Sequence, residues 1–268
     1  MRTQRTIGLI VLGCVLASLA VLAGLIAWTG WPIGAIAGIA IATAVVATYL
    51  RWIGPWQRRW GATDDEVART MPGDELLRPD APTTTRAITI AAPPSAVFPW
   101  LLQIGFGRGG WYSYDWIDND GKPSLERIDP ALQDLAVGDR IEMLPGFGPV
   151  VAEIEPDHHL VAAGDTDTWC LLVEPITDGR TRLISRWRQD WPRSFGTSVW
   201  IVLADPGAFV MEQRMLRRIR DLAGITDLEV VRRSPDESRD AATEDALAAT
   251  AAIRPEGPAS GADPASAG

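Results

Sequence analysis

The chain opens on an apolar run: no charged residue stands between Arg5 and Arg51, and only Trp28-Thr29-Gly30-Trp31-Pro32 interrupts it in the manner of a turn. This pattern predicts two helices, Thr6 to Trp28 and Trp31 to Leu50. At ~1.5 Å per residue they are about 35 Å and about 30 Å long, each enough to cross a bilayer. Trp28 and Trp31 then fall at one interface, and Trp52, Trp56 and Trp60 at or just beyond the other. Gly34 and Gly38 form a GxxxG that lets the second helix approach the first. The basic start and Val11-Leu12-Gly13-Cys14 also fit a secretory signal, but the apolar run continues well past Cys14. A signal stops after ~7 to 15 apolar residues. Arg2, Arg5, Arg51, Arg58 and Arg59 flank the hairpin and none lies in its turn. By the positive-inside rule both ends, and the globular part after them, belong in the cytoplasm, with the two spans in the inner (plasma) membrane.

Past the hairpin, Gly61 to Pro82 is acidic and proline-containing, a polar connector with at most a short helix. Alternation then begins: Thr83 to Ala91 predicts a strand ended by Ala92-Pro93-Pro94, and a helix follows with Val97, Leu101 and Ile104 on one face, Phe98 and Leu102 beside them, and Pro99 expected to kink it. Strands are predicted at Gly138 to Leu144, Pro149 to Glu155, His159 to Ala163, Thr168 to Glu174 and Thr181 to Trp191. Turn residues separate them regularly, which predicts an antiparallel meander. In the last strand Leu183, Ser185, Trp187, Gln189 and Trp191 share one face, opposite Arg182, Ile184, Arg186, Arg188 and Asp190. Trp169, Leu171 and Val173 form the matching inner face one strand earlier, with Cys170 turned away. Thr197 to Leu203 is a short apolar stretch. Asp205-Pro206-Gly207 then introduces a helix to about Ala223, with Met215, Leu216, Ile219, Leu222 and Ala223 on its apolar side and Arg214, Arg217, Arg218 and Arg220 mostly opposite, facing water or anionic headgroups. From Ser234 onward small and acidic residues dominate, which predicts disorder.

Charge narrows the function classes. The formal net charge is −9, and the tail from Ser234, with seven acidic residues against two arginines, carries −5 of it. No clustered basic surface offsets this, so nucleic acid is excluded as a partner. Of the 25 basic residues only Lys122 is lysine, a bacterial, GC-rich coding bias that makes any one arginine weaker evidence for anion binding. Cys14 and Cys170 give no disulfide framework, neither stands in metal-ligand spacing with a histidine, and no metal site is expected.

Recognition chemistry is densest from Gly105 to Asn119, where Trp111, Tyr112, Tyr114 and Trp116 stand beside Arg108, Asp115 and Asp118 after a glycine cluster. Two readings stay open: the lip of a pocket, or large rings closing one end of a core. Gly105, Gly107 and Gly110 match GxGxxG, but the match follows a helix and opens a run of aromatics, whereas a dinucleotide site follows a strand and opens a helix. No cofactor is expected. The two histidines, His158 and His159, are adjacent at the Pro156-Asp157 turn, and alternation allows at most one into a pocket.

The segments TTRAITIAAPPSAVFPWLLQIG, GRGGWYSYDWIDN, LQDLAVGDRI and PGAFVMEQRMLRRI resemble bacterial SRPBCC (START/polyketide-cyclase-like) proteins, and WGATDDEVARTMPGDEL resembles the stretch preceding that domain. The resemblance covers about Trp60 to Ala223. It implies an α+β helix-grip fold, a curved antiparallel sheet around a long carboxy-terminal helix with a hydrophobic cavity between them, here preceded by two transmembrane helices. The organisation expected is a transmembrane hairpin at 1–53, a linker at 54–82, the helix-grip domain at 83–225 and an acidic tail at 226–268. The superfamily hosts lipid-transfer, hormone-binding, cyclising and ring-hydroxylating proteins, so the fold does not choose among them. The leading expectation is a membrane-anchored domain binding a hydrophobic small molecule or lipid, with Arg108, Trp111, Tyr112, Tyr114, Asp115, Trp116, Trp169 and Trp187 at the site. A polyketide cyclase or aromatase-like enzyme and a partner-recruiting module with a filled core are the alternatives; no catalytic residue is singled out.

Overall fold

In the computed structural model, residues 2–191, 194 and 203–225 are described. The apolar stretch expected at Thr197 to Leu203 lies outside them but for Leu203, which opens a helix, and the tail from Ser234 lies outside them altogether.

Helix α1 (Arg2–Thr29) ends at Gly30, whose φ of 76° suits glycine, and α2 (Ile33–Thr48) turns back along it. The GxxxG acts as expected. A Cβ on Gly34 would lie 2.5 Å from the Ile26 Cα, so a larger residue there would force the helices apart, while one on Gly38 would meet the Leu22 Cδ1 at 2.5 Å, the end of a side chain that can turn aside. A π-helical turn (Tyr49–Ile53) and α3 (Gly54–Arg58) carry α2 onward, and the continuous helix Ile33–Arg58 is long and apolar enough to cross a membrane. Two spans are expected from the sequence; among the described residues one helix, Ile33–Arg58, passes as a candidate span, and the continuous stretch of α1 whose side chains are described, Leu16–Thr29, is roughly 21 Å long at ~1.5 Å per residue.

The domain is α+β. After α4 (Asp64–Ala68) come β1 (Thr83–Ile90), α5 (Pro94–Leu102), the short α6 (Asp115–Asp118), β2 (Val150–Glu155), β3 (His159–Ala163), β4 (Asp167–Ile176), β5 (Arg180–Gln189) and α7 (203–225). The five strands form one antiparallel sheet in the order β1-β5-β4-β3-β2, a meander whose last strand pairs with the first. Register sets the inner face: Trp169 pairs with Trp187, Leu171 with Ser185 and Val173 with Leu183. Helix α7 lays Met215, Leu216, Ile219, Leu222 and Ala223 into the core this face forms, and α5 adds Val97, Phe98, Trp100 and Leu101. This is the helix-grip arrangement. Gly138 to Leu144, expected as a strand, is instead an irregular arm: Arg140 bridges Val150 and Leu144 bridges Phe147 in isolation, because Gly138 at φ 98° and the Pro145-Gly146 turn interrupt a regular ladder.

The outer face differs most from the sequence reading. The stretch 61–82 does not hang free as a connector but straps the sheet. Its capping box, Thr63 with Glu66, starts α4, and Met71 closes a second core with Ala87, Val161, Cys170, Leu172 and Ile184. Gly73, at φ 82°, lets the strap turn against Val161, where a Cβ would meet Cγ1 at 2.5 Å. The arginines of β5 hold it. Arg186, 3 % exposed, pairs with Asp74 at 2.7 Å and donates to the carbonyls of Glu66 at 2.6 Å and Arg69 at 2.8 Å. Arg188 donates to the carbonyls of Arg78 at 2.9 Å, Pro79 at 3.0 Å and Asp74, and Arg182 pairs with Glu66 at 2.7 Å. A strap with few apolar side chains leaves carbonyls over the sheet, and guanidinium groups with five donors each satisfy several at once.

Candidate functional site

The segment Gly105 to Gly110 folds into a tight loop in which Gly105 and Gly110 exchange backbone hydrogen bonds of 3.1 and 3.2 Å. Gly110, at φ 90°, presses against Ser124 where no side chain fits. No helix starts at Gly110. The loop aims the chain at 111–126 along α7, and between them lies a cleft of about 560 Å³ lined by Tyr112, Ser113, Tyr114, Asp115, Ser124 and Glu126 on one side and by Val210, Gln213, Arg214, Arg217, Arg218 and Asp221 on the other.

Its charges are arranged unevenly. Arg214 lies over the Tyr114 ring, 4.4 Å from its centroid, and donates to the Ser113 carbonyl at 2.8 Å, so it is held as part of the wall. Arg218 is paired with Glu126. Arg217 stacks over Trp60 at 5.3 Å and, among the described residues, has no carboxylate partner. The Ser124 hydroxyl donates to Asp115 at 2.6 Å and accepts the Tyr112 amide at 3.0 Å, which fixes the rim. The Tyr112 hydroxyl accepts from Gln103 at 2.6 Å, and burial pushes its own ionisation up to about 12, Gln103 opposing that, so it stays neutral.

Asp118 sits behind this rim, 7 % exposed. Burial, then the Asp115 charge, push its carboxyl up to about 6, while the Ser113 hydroxyl and the Tyr114 and Asp118 amides pull the other way. None of these comes close enough or straight enough to count as a hydrogen bond, and both carboxylate oxygens are left without one, so burial prevails.

The residues expected to line one pocket separate into three groups. Tyr112, Tyr114 and Asp115 meet at the cleft. Trp111, Trp169 and Trp187 are core: Trp169 stacks on Trp187 with centroids 4.8 Å apart, Trp111 packs on Trp169 at 5.9 Å, and the Trp169 indole donates to Ser185 at 2.9 Å. Only Trp187 of these three is half-buried, at the end of β5. Arg108 and Trp116 join neither. Arg108 donates to the carbonyls of Leu102 at 3.2 Å and Leu132 at 2.9 Å, bracing the end of α5, and Trp116 is 53 % exposed with its edge against Tyr114. Sequence reasoning passed over Ser113, Ser124 and the orientation of Arg217. The one visible signal was the arginine spacing at 214, 217 and 218, one stripe of a helix, which says nothing about what faces it.

The two histidines also depart from expectation. His158 lies in the turn before β3, where Asp157 takes φ 59°, so strand alternation does not govern it and both rings converge. Their Nδ1 atoms are 2.8 Å apart.

No family model and no curated protein matches the chain. Among solved structures it is similar to a protein from Mesorhizobium loti at 16% identity over 55% of this chain and 99% of that one, with a TM-score of 0.33. It is similar to a conserved protein of unknown function from Enterococcus faecalis at 16% identity, over 56% and 76%, TM-score 0.32. A Polyketide_cyc-like protein from Corynebacterium glutamicum matches at 19% identity, over 57% and 96%, TM-score 0.29. The fold rests on strand order and on the packing of α7, not on these likenesses.

Proposed function

We propose that this chain is a membrane-tethered binding protein for an amphipathic small molecule or lipid, whose polar or anionic head sits in the cleft between 111–126 and α7. The observation that carries this is Arg217, a guanidinium on the wall of a ligand-sized cleft that, among the described residues, has no carboxylate partner, in a cleft that Ser113 and Ser124 also line. The exposed Val210 on the same wall offers the apolar part of a ligand a place. Helix Ile33–Arg58 supplies the tether, with the domain on the cytoplasmic side of the plasma membrane by the positive-inside rule. The tether is coupled to α7: Gln57 donates to the Tyr49 hydroxyl at 2.6 Å, which donates to Asp205 at 2.8 Å. A ligand dissolved in the bilayer then reaches the cleft over a short path.

The packed tryptophans support a second reading, a module with a filled core that recruits a protein partner through the arginines of α7 or through the acidic tail. A cyclase-like enzyme draws support only from the raised Asp118, which does not line the cleft. Native mass spectrometry of the full chain released from detergent, with extraction of bound small molecules, separates the readings. The expected result is a reproducible adduct lost in Arg217→Glu with the fold intact. A bare chain that also fails to bind anionic amphiphilic probes refutes the ligand reading, and partner capture abolished by deleting 234–268 establishes the module.

A further inference from the structure

A second constellation lies on the β2–β3 hairpin, built from other residues than the cleft. Glu155 ends β2 and pairs in register with His159, the first residue of β3, and His158 stands in the turn between them. The Nδ1 of His158 lies 2.8 Å from the Nδ1 of His159, and the Glu155 Oε2 lies 3.2 Å from the first and 3.5 Å from the second. Three donors thus converge within 4.8 Å of one another.

We propose that His158 Nδ1, His159 Nδ1 and Glu155 Oε2 bind a divalent transition-metal ion of the class that prefers imidazole, Zn2+ foremost. The separations fit one centre. With bonds of ~2.05 Å, donors 2.8, 3.2 and 3.5 Å apart subtend roughly 85° to 120° at the ion, the range of a tetrahedral or five-coordinate face. The donor set excludes Mg2+ and Ca2+, which take oxygen ligands, and matches sites of two histidines and one carboxylate that leave positions open. Without an ion, one Nδ1 must carry a proton and donate to the other; with an ion, both lone pairs and the carboxylate share one charge of +2.

The frame is rigid in the way a site needs. His159 is 3 % exposed, Glu155 is fixed by strand pairing, and His158 is tied at both backbone groups, its amide donating to the Glu155 carbonyl at 3.0 Å and its carbonyl accepting from the Val173 amide at 2.6 Å. The far nitrogen of His159 is biased as well. Its Nε2 is buried without a hydrogen bond, yet the Glu153 Oε1 lies 3.1 Å away, off the N–H direction. The carboxylate still favours the proton on Nε2 by its charge, and so leaves the Nδ1 lone pair for the ion. The fourth position faces solvent, since the His158 and Glu155 side chains are 43 % and 61 % exposed, and there a water or a donor from a bound partner completes the shell.

The test uses the tag-free full chain in detergent, stripped with a chelator and desalted. Zn2+ is titrated against a competing chromogenic chelator, and Co2+ absorption reports coordination. The expected result is one equivalent of Zn2+, a Co2+ visible band, and a melting temperature that rises with Zn2+. His158→Ala and Glu155→Gln each weaken binding about ten-fold or more, a loss at least equal to that seen on removing groups that only support ligands. Glu155 is on the exposed side, so metal-free Glu155→Gln melts where the wild-type chain does, whereas His158→Ala also removes the hydrogen-bond partner of the buried His159 Nδ1 and is compared for binding once its fold is shown intact. A wild-type chain that binds Zn2+ no more tightly than the double variant overturns the proposal, as does a double variant that keeps the Co2+ band.

Discussion

Removing the Arg186 guanidinium tests whether the strap is part of the fold. Arg186→Ala deletes the ion pair with Asp74 and leaves the Glu66 and Arg69 carbonyls without their donor on a covered face of the sheet. Breaking a buried pair by removing one partner costs about 3–5 kcal/mol. Asp74 keeps the Met71 amide at 2.9 Å and has Arg188 at 3.8 Å, which places the loss at the lower end, about 3 kcal/mol. At ~2–4 °C per kcal/mol this is a fall in Tm of roughly 6–12 °C. Arg220→Ala is the control: among the described residues its carboxylate partner is Asp221 on the same helix, both half exposed, and the expected change is below about 0.5 kcal/mol. Arg186→Met with Asp74→Asn removes both charges and recovers only the part of the loss that comes from the unpaired Asp74 carboxylate, since the Glu66 and Arg69 carbonyls still lack their donor. Thermal and denaturant melts of the full chain in one detergent read all of these. A loss below about 1 kcal/mol in Arg186→Ala, or one equal to the control, refutes the docked strap.

Three further outcomes follow from the same geometry. The Asp118 carboxyl is raised from its ordinary 3.8 to about 6, so its contribution is fully present below the unfolded value and is lost as pH rises through about 6. It amounts to about 3 kcal/mol of pH-dependent stability, and Asp118→Asn should flatten the stability curve between pH 4 and 6. Burial, then the Asp74 charge, push the Cys170 thiol up to about 12, so in a Cys14→Ser background it should resist alkylation at pH 8 until the chain unfolds. Rapid labelling of the native chain would place Cys170 outside the second core. Gly34→Leu should separate α1 from α2, read as lost protection of helix–helix crosslinks between engineered cysteines, with no change in the melting of the domain.

What the sequence determined by itself was local and periodic. Alternation named β1, β3, β4 and β5 within a residue or two, because a half-buried strand must place Trp169, Leu171 and Val173 on one side and Cys170 on the other whatever lies across from it. Apolar stripes named α5 and α7, and small residues at 34 and 38 foretold the close helix pair. Tertiary structure decided what those faces meet. Arg182, Arg186 and Arg188 have the pattern of a solvated edge, and only the docking of 61–82 covers them, burying Arg186 and Arg188, and makes them the donors that hold a strap. The aromatics of 111–116 form one cluster in sequence but divide in space, since Trp111 turns into the core, Tyr114 toward α7 and Trp116 outward once Tyr112 takes φ 54°. His158 and His159 likewise converge only because a left-handed turn residue precedes them. Period fixes which side of its own element a residue is on; which element covers that side is settled by contacts far apart in the chain, and these leave no periodic trace.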